Sequence, residues 1–155
     1  MLQRHAGAGQ VRWIGLRPDR RVPIHVVESA QILLTGLVGD RRERPGKRAV
    51  SLIQWEHIPV IAALSGRTRI DPALLRRNIA VSGINLLALR KVRFRIGSAV
   101  LAGTGICAPC SRMEEALGTG GYNAVRGHGG ITAEVIEPGT VSVGDVVTAL
   151  ESDPA

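Results

Sequence analysis

The chain has 155 residues, 45% of them hydrophobic and 3% aromatic, with a formal net charge of +7. That length suits one domain whose core is built from Val, Ile, Leu and Ala rather than from rings. No apolar run approaches the roughly 20 residues of a membrane helix, and Met1–Gln10 lacks the apolar stretch of a signal peptide. The expectation is a cytoplasmic protein with no membrane partner.

In chain order, Val11–Leu16 reads as a first strand, followed by a turn at Pro18-Asp19. Pro23–Ser29 alternates as a second strand. Gly36 to Arg48 reads as a turn and a solvent-exposed charged loop, from which Lys47 or Arg48 would reach an anionic ligand. Ala49–Gln54 is a strand. Trp55–Leu64 is a short helix that Pro59 limits to a broken or late-starting one and that Ser65-Gly66 ends. Asp71 followed by Pro72 carries the signature of an N-cap with proline at the first helical position. Asn78–Ser82, Val92–Ile96 and Ala99–Gly103 read as strands, separated by a bend over Gly83–Leu89 and a turn at Gly97-Ser98.

Residues 111–117 form a helix in this reading. A glycine-rich loop follows from Gly118 to Gly130, and then a strand over Ile131–Ile136. Glu137-Pro138-Gly139 is a tight turn, and Thr140–Val143 and Val146–Leu150 close the chain as strands. Residues 1–10 and 151–155 are expected to be flexible ends around a single domain over 11–150. Many strands with a few short helices, not regularly alternating, exclude a doubly wound sheet. The pattern predicts a mainly β (α+β) fold, a mixed β-barrel with short helices.

The segment from Gly105 to Gly118 holds both cysteines, Cys107 and Cys110, three residues apart. Ser111 and Glu114 have capping-box spacing, and Gly118 stands where a C-cap glycine belongs. Cys110 would then face the open N–H groups of a helix start, an environment that favours the thiolate. A thiolate is a nucleophile and a ligand for soft metals. A structural zinc site needs further ligands at suitable spacing, and His5, His25, His57 and His128 are scattered. Cys107 reads either as a resolving thiol or as packing.

Residues 1–100 carry 18 Lys and Arg against 6 Asp and Glu, while residues 101–155 carry 2 against 7. A basic front half points to an anionic partner, a cofactor or a small molecule. Nucleic acid is disfavoured, because single-strand platforms stack bases on aromatic side chains and only Trp13, Trp55, Phe94 and Tyr122 are present. Arg76 and Arg77 offer planar forks for phosphate or carboxylate, and Asn78 beside them both donates and accepts. The loop from Gly120 to Gly130, with Arg126 and His128, can bring backbone and one guanidinium close to an anion.

Taken together, Gly36-Leu37-Val38-Gly39-Asp40, the run from Arg76-Arg77-Asn78 to Ile84, Phe94-Arg95-Ile96-Gly97, Pro109-Cys110 and the closing run Gly139 to Val147 resemble the MOSC domain family, named from the C-terminal domain of molybdenum cofactor sulfurase. The resemblance spans residues 11 to 150 and is greatest to the short stand-alone bacterial members. It implies a barrel-like fold with a pocket in which Cys110 is the functional residue. In members that reduce N-hydroxylated compounds, the matching cysteine binds the molybdenum of the cofactor, and the positions of Arg76 and Asn78 hold the pterin phosphate. The chain is therefore expected to bind molybdenum cofactor through Cys110, with Arg77, Arg112 and Arg126 as further cofactor-side candidates. Reduction of N-hydroxylated compounds with a redox partner is the activity implied.

The family has also been proposed to carry sulfur. Cys110 would then hold a persulfide received from a cysteine desulfurase, with Arg112 beside its anion. A non-enzymatic binding module is the third reading. No lysine stands in a recognisable Schiff-base context, so pyridoxal phosphate is not assigned.

Overall fold

The computed structural model describes residues 1–41 and 44–150. The strands are β1 (Gly9–Leu16), β2 (His25–Val27), β3 (Ser29–Leu33), β4 (Gly36–Leu37), β5 (Val50–Gln54), β6 (Ile79–Ser82), β7 (Arg93–Ile96), β8 (Ala99–Ile106), β9 (Ile131–Glu137), β10 (Gly139–Ser142) and β11 (Val146–Ala149). The helices are α1 (His57–Leu64), α2 (Ser111–Leu117) and α3 (Gly121–Val125), with single 3-10 turns over Pro72–Leu75 and Leu86–Leu89.

Seven strands close a barrel in the order β1, β6, β5, β9, β8, β7, β11 and back to β1, and β2 extends the sheet beyond β1. Among the described strands only β5 and β6 run parallel, with Leu52 opposite Ile79 and Gln54 opposite Val81. A parallel pair needs a crossover, and α1 with the Pro72–Leu75 turn supplies it. A small antiparallel sheet, β10-β3-β4, packs beside the barrel.

Every residue of β5 is buried. Leu52 faces the barrel interior with Ile14, Ile79, Phe94, Leu101 and Ile131. Ile53 faces the other way, into a second cluster with Ile58 and Ile61 of α1, Leu75, Met113, Leu117 and Val125. Two-sided burial of the parallel pair is what such a strand pairing demands. That second cluster fixes α2, and therefore the segment before it, on the barrel.

The expected barrel with short helices is the observed fold. Asp71 caps the Pro72 turn by accepting from the Ala73 amide at 3.0 Å. Pro59 is the third residue of α1, within the first turn, where its missing N–H costs no helical bond. Gly118 ends α2 at φ +86°. Four expectations change. Pro23–Ser29 is not one strand but β2 and the start of β3, interrupted at Glu28. The turn expected at Gly36 holds a short strand, β4, paired with β3. The glycine-rich loop contains α3, whose Ala124 and Val125 are buried, so packing outweighs its poor helix-forming composition. At the N-terminus, Gly9 and Gln10 already pair with β11. The expected fraying of 151–155 lies outside the described residues. Among the described residues no helix is long and apolar enough to cross a membrane.

Candidate functional site

The site begins where β1 ends. Arg17 closes a two-pronged pair on Asp40, with Nε 3.1 Å from Oδ1 and Nη2 2.9 Å from Oδ2, and its own amide donates to Oδ1 at 2.7 Å. The Asp40 side chain is 1% exposed. Burial alone would raise its carboxyl. The Arg17 hydrogen bonds and charge outweigh that, with a further bond from Asn78, and hold it below the usual carboxylate range.

Around this pair the fold gathers arginines from distant parts of the chain. One lobe, about 380 Å³, is walled by Arg17, Arg20, Arg41 and Arg48, with Ser51, Cys107 and Thr132. An adjoining lobe of about 250 Å³ shares Arg17, Arg20 and Arg41 and adds Arg76, Arg77, Arg112 and Cys110. Neither wall carries a carboxylate among the described residues; Asp40 sits behind Arg17. The arginines strain one another electrostatically. Burial first, then Arg112, Arg17 and Arg41, lower the Arg76 guanidinium from its ordinary value. Burial, then Arg17, Arg20 and Arg112, do the same to Arg41. A cluster of like charges facing one basin is the arrangement an anionic guest relieves.

Cys110 is exposed and Cys107 is buried. Cys110 itself, not Ser111, is the residue that precedes α2, and no side chain caps that helix start. The expected Ser111–Glu114 capping box is absent. Glu114 instead accepts from the Gly120 and Tyr122 amides, both at 2.9 Å, at the start of α3, which lowers its carboxyl below the ordinary range. The glycines at 118 and 120 let the chain double back, so α3 presents its open amides to that carboxylate and Ser111 finds no partner there.

The remaining predicted site residues separate by role. Arg76, at φ +54°, donates from Nη1 to the Val22 carbonyl at 2.8 Å and from Nη2 to the Asp19 carbonyl at 3.2 Å, so it anchors the Arg17–Val22 loop while lining the lobe. Arg77 is buried and serves three carbonyls: Gly129 from Nε at 2.9 Å, Leu75 from Nη1 at 3.1 Å and Ala108 from Nη2 at 3.3 Å.

Asn78 is fully buried. Its Oδ1 accepts from the Ser51 amide and hydroxyl, and its Nδ2 donates to the Gly15 carbonyl and to Asp40 Oδ1. It lines neither lobe, so the expected direct contact with an anion is replaced by support beneath the basin, because all of its amide capacity is spent within the protein. Arg126 is exposed at the end of α3, 3.5 Å from Asn123 Oδ1, and lines neither lobe. Arg48 of the charged loop does reach a lobe wall, whereas Lys47 does not.

Sequence reasoning missed Arg17, Arg20, Arg41, Ser51 and Thr132 as wall residues and Asp40 as the buried partner. The signal available was the basic excess of the first hundred residues, which does not say which arginines converge. A larger cavity, about 530 Å³, lies elsewhere, between the N-terminal arm and Thr148–Leu150. It has no thiol and no arginine cluster, so size alone does not locate the chemistry.

A search of curated proteins returned no match. Among solved structures, the YuaD protein from Bacillus subtilis is similar with a TM-score of 0.79 at 22% identity, covering 91% of this chain and 94% of that one. YiiM from Escherichia coli gives 0.72 at 19% identity over 94% of this chain and 72% of that one. YiiM from Geobacillus stearothermophilus gives 0.74 at 15% identity, covering 92% and 75%. At these identities the likeness is one of fold. The MOSC domain model matches residues 11–148, nearly the whole barrel with both lobes; the chain belongs to the MOSC domain family.

Proposed function

We propose that the protein binds molybdenum cofactor, with Cys110 as the protein ligand to the metal and the arginine basin as the seat of the anionic part. The observation that carries this reading is an exposed thiol sharing one lobe wall with Arg76, Arg77 and Arg112, with no carboxylate on that wall among the described residues. The donor set suits the group: a soft thiolate for a transition metal and guanidinium forks for a phosphate. Bound there, the cofactor supplies two-electron oxygen-atom chemistry, and reduction of N-hydroxylated compounds is the activity that the family suggests.

The chain's own residues do the holding. Arg112 and Arg41 present charge to the guest. Arg76 does so from a side chain already anchored on two carbonyls, so little side-chain entropy remains to be lost on binding. Asn78 and Asp40 fix Arg17 from behind. Arg77 holds the backbone of the Cys107–Cys110 segment through Ala108.

The test is purification of the wild type and Cys110→Ala from a cofactor-producing host, followed by metal analysis. Molybdenum in the wild type and only background in the variant is the expected result. Equal content overturns the reading.

The exposure of Cys110 also favours a second reading, sulfur carriage. Its thiolate would take the outer sulfur of a desulfurase persulfide, releasing the desulfurase thiol and leaving a persulfide on Cys110. Mass spectrometry after incubation with a cysteine desulfurase and cysteine would show the added sulfur, absent in Cys110→Ser. No added mass removes this reading.

A further inference from the structure

The loop Gly127–Gly130 is held at three successive residues. His128 Nδ1 lies 3.3 Å from His57 Nδ1, at the first residue of α1. The Gly129 carbonyl accepts from Arg77 Nε at 2.9 Å, and the Gly130 carbonyl accepts from the Cys107 amide at 2.8 Å. Gly129 and Gly130 lie flush on their surroundings. A Cβ at Gly129 would strike the Cys107 carbonyl oxygen, and Gly130, at φ +88°, has the Leu52 carbonyl in the space a side chain would need. A displacement of His128 therefore passes into Cys107 directly. It also passes through Arg77, bonded to the Ala108 carbonyl at 3.3 Å, into the segment that ends at Cys110.

The two imidazoles meet edge to face, with centroids 4.9 Å apart and planes at 88°. A hydrogen bond between two Nδ1 atoms needs one ring to donate and the other to accept. That holds while at least one ring is neutral. With both protonated, two N–H groups and two positive charges face each other. Glu56 is the carboxylate acting on His57, but its oxygens are taken by Gln54 Nε2 and the Gly83 amide, both at 2.9 Å. On the far side of the loop stands Arg77, another positive charge. Burial first, then His128, lower the His57 imidazolium from its ordinary value, against the pull of Glu56.

We propose that the His57–His128 contact is a pH-responsive positioning clasp. With a neutral ring in the pair it pins the Gly127–Gly130 loop under the thiol segment; doubly protonated, it releases the loop and shifts Cys110 relative to the arginines. This regulatory role rests on the reading of Cys110 as the functional residue. The folded clasp disfavours the second proton because two N–H groups and two charges would face each other, so it is closed at neutral pH and opens as the solution is made mildly acidic.

The test is amide exchange and chemical-shift measurement by NMR on the full metal-free chain across that range, with exchange corrected for its intrinsic pH dependence. The wild type is expected to lose about tenfold or more of the protection of the Cys107 amide on acidification, with the Cys110 amide shift moving at the same midpoint. His57→Gln, which cannot charge, is expected to be flat in both; should it fail to fold, His128→Asn takes its place. A flat wild type, a variant that falls equally, or a Cys110 shift that does not follow Cys107 overturns the clasp. Because no metal is present, failure of molybdenum loading leaves this result standing, and a flat profile leaves the cofactor reading standing.

Discussion

Arg17 and Asp40 form a two-pronged ion pair at 2.9 and 3.1 Å, with the carboxylate sealed behind a wall of arginines. Asp40 is thus the buried counter-charge of a basin whose charged wall residues are otherwise, among the described residues, all arginines. The pair ties the end of β1 to the segment after β4, and Asn78 joins it to the start of β6 at 3.2 Å.

Asp40→Asn is therefore expected to cost about 3 kcal/mol, the usual penalty for breaking a buried pair from one side, read as a lower urea midpoint. The same pair gives a pH signature. The folded state holds the carboxyl below its ordinary value, so its contribution is fully present above about pH 4 and is lost as pH falls through the folded value. Asp40→Asn flattens that acid limb. An unchanged limb in the variant would remove the pair from the account of acid stability.

Asn78→Ala is expected to lose about 2–4 kcal/mol of stability through orphaned partners at Ser51, Gly15 and Asp40, read as a lower urea midpoint; a midpoint at the wild-type value would contradict its supporting place beneath the basin. Arg112→Glu changes the wall without touching the core. It is expected to leave the melting temperature near the wild-type value and to weaken cofactor loading by about tenfold or more. Loading measured at rising salt would show the wild type approaching the variant. Loss of fold in Arg112→Glu, or unchanged loading, would contradict the assignment of that wall.

Arg77→Lys tests the tether. A lysine replaces a planar fork serving three carbonyls with a single point of donors. The variant is expected to lose about 2 kcal/mol and to show faster alkylation of Cys107 as the loop behind it loosens. Alkylation at the wild-type rate would mean that the Gly129 and Ala108 contacts do not hold the segment.

The elements were legible where chemistry is local. Asp71-Pro72 announces its turn, and Pro59 announces a helix that begins just before it. β5 is buried at every residue, Ser51 and Gln54 included, because both of its faces are covered. The thiol segment was legible too, since two cysteines, a proline and a helix start lie together in the chain. The basin was not. Arg17, Arg20, Arg41, Arg48, Arg76 and Arg112 are spread over almost a hundred residues, and only closure of the barrel brings them to one rim. Spacing identifies Glu114 as a capping residue but not which amides fold back upon it, and those of α3 do. Asn78 reads as a contact in the sequence because an exposed and a spent amide look alike there.

The central claim is that the sulfur of Cys110 binds the metal. X-ray absorption at the molybdenum edge counts sulfur neighbours directly, in the wild type and in Cys110→Ser loaded side by side. The account predicts one sulfur neighbour fewer in the variant, or no bound molybdenum at all. The same sulfur count with equal metal content in both proteins would contradict it.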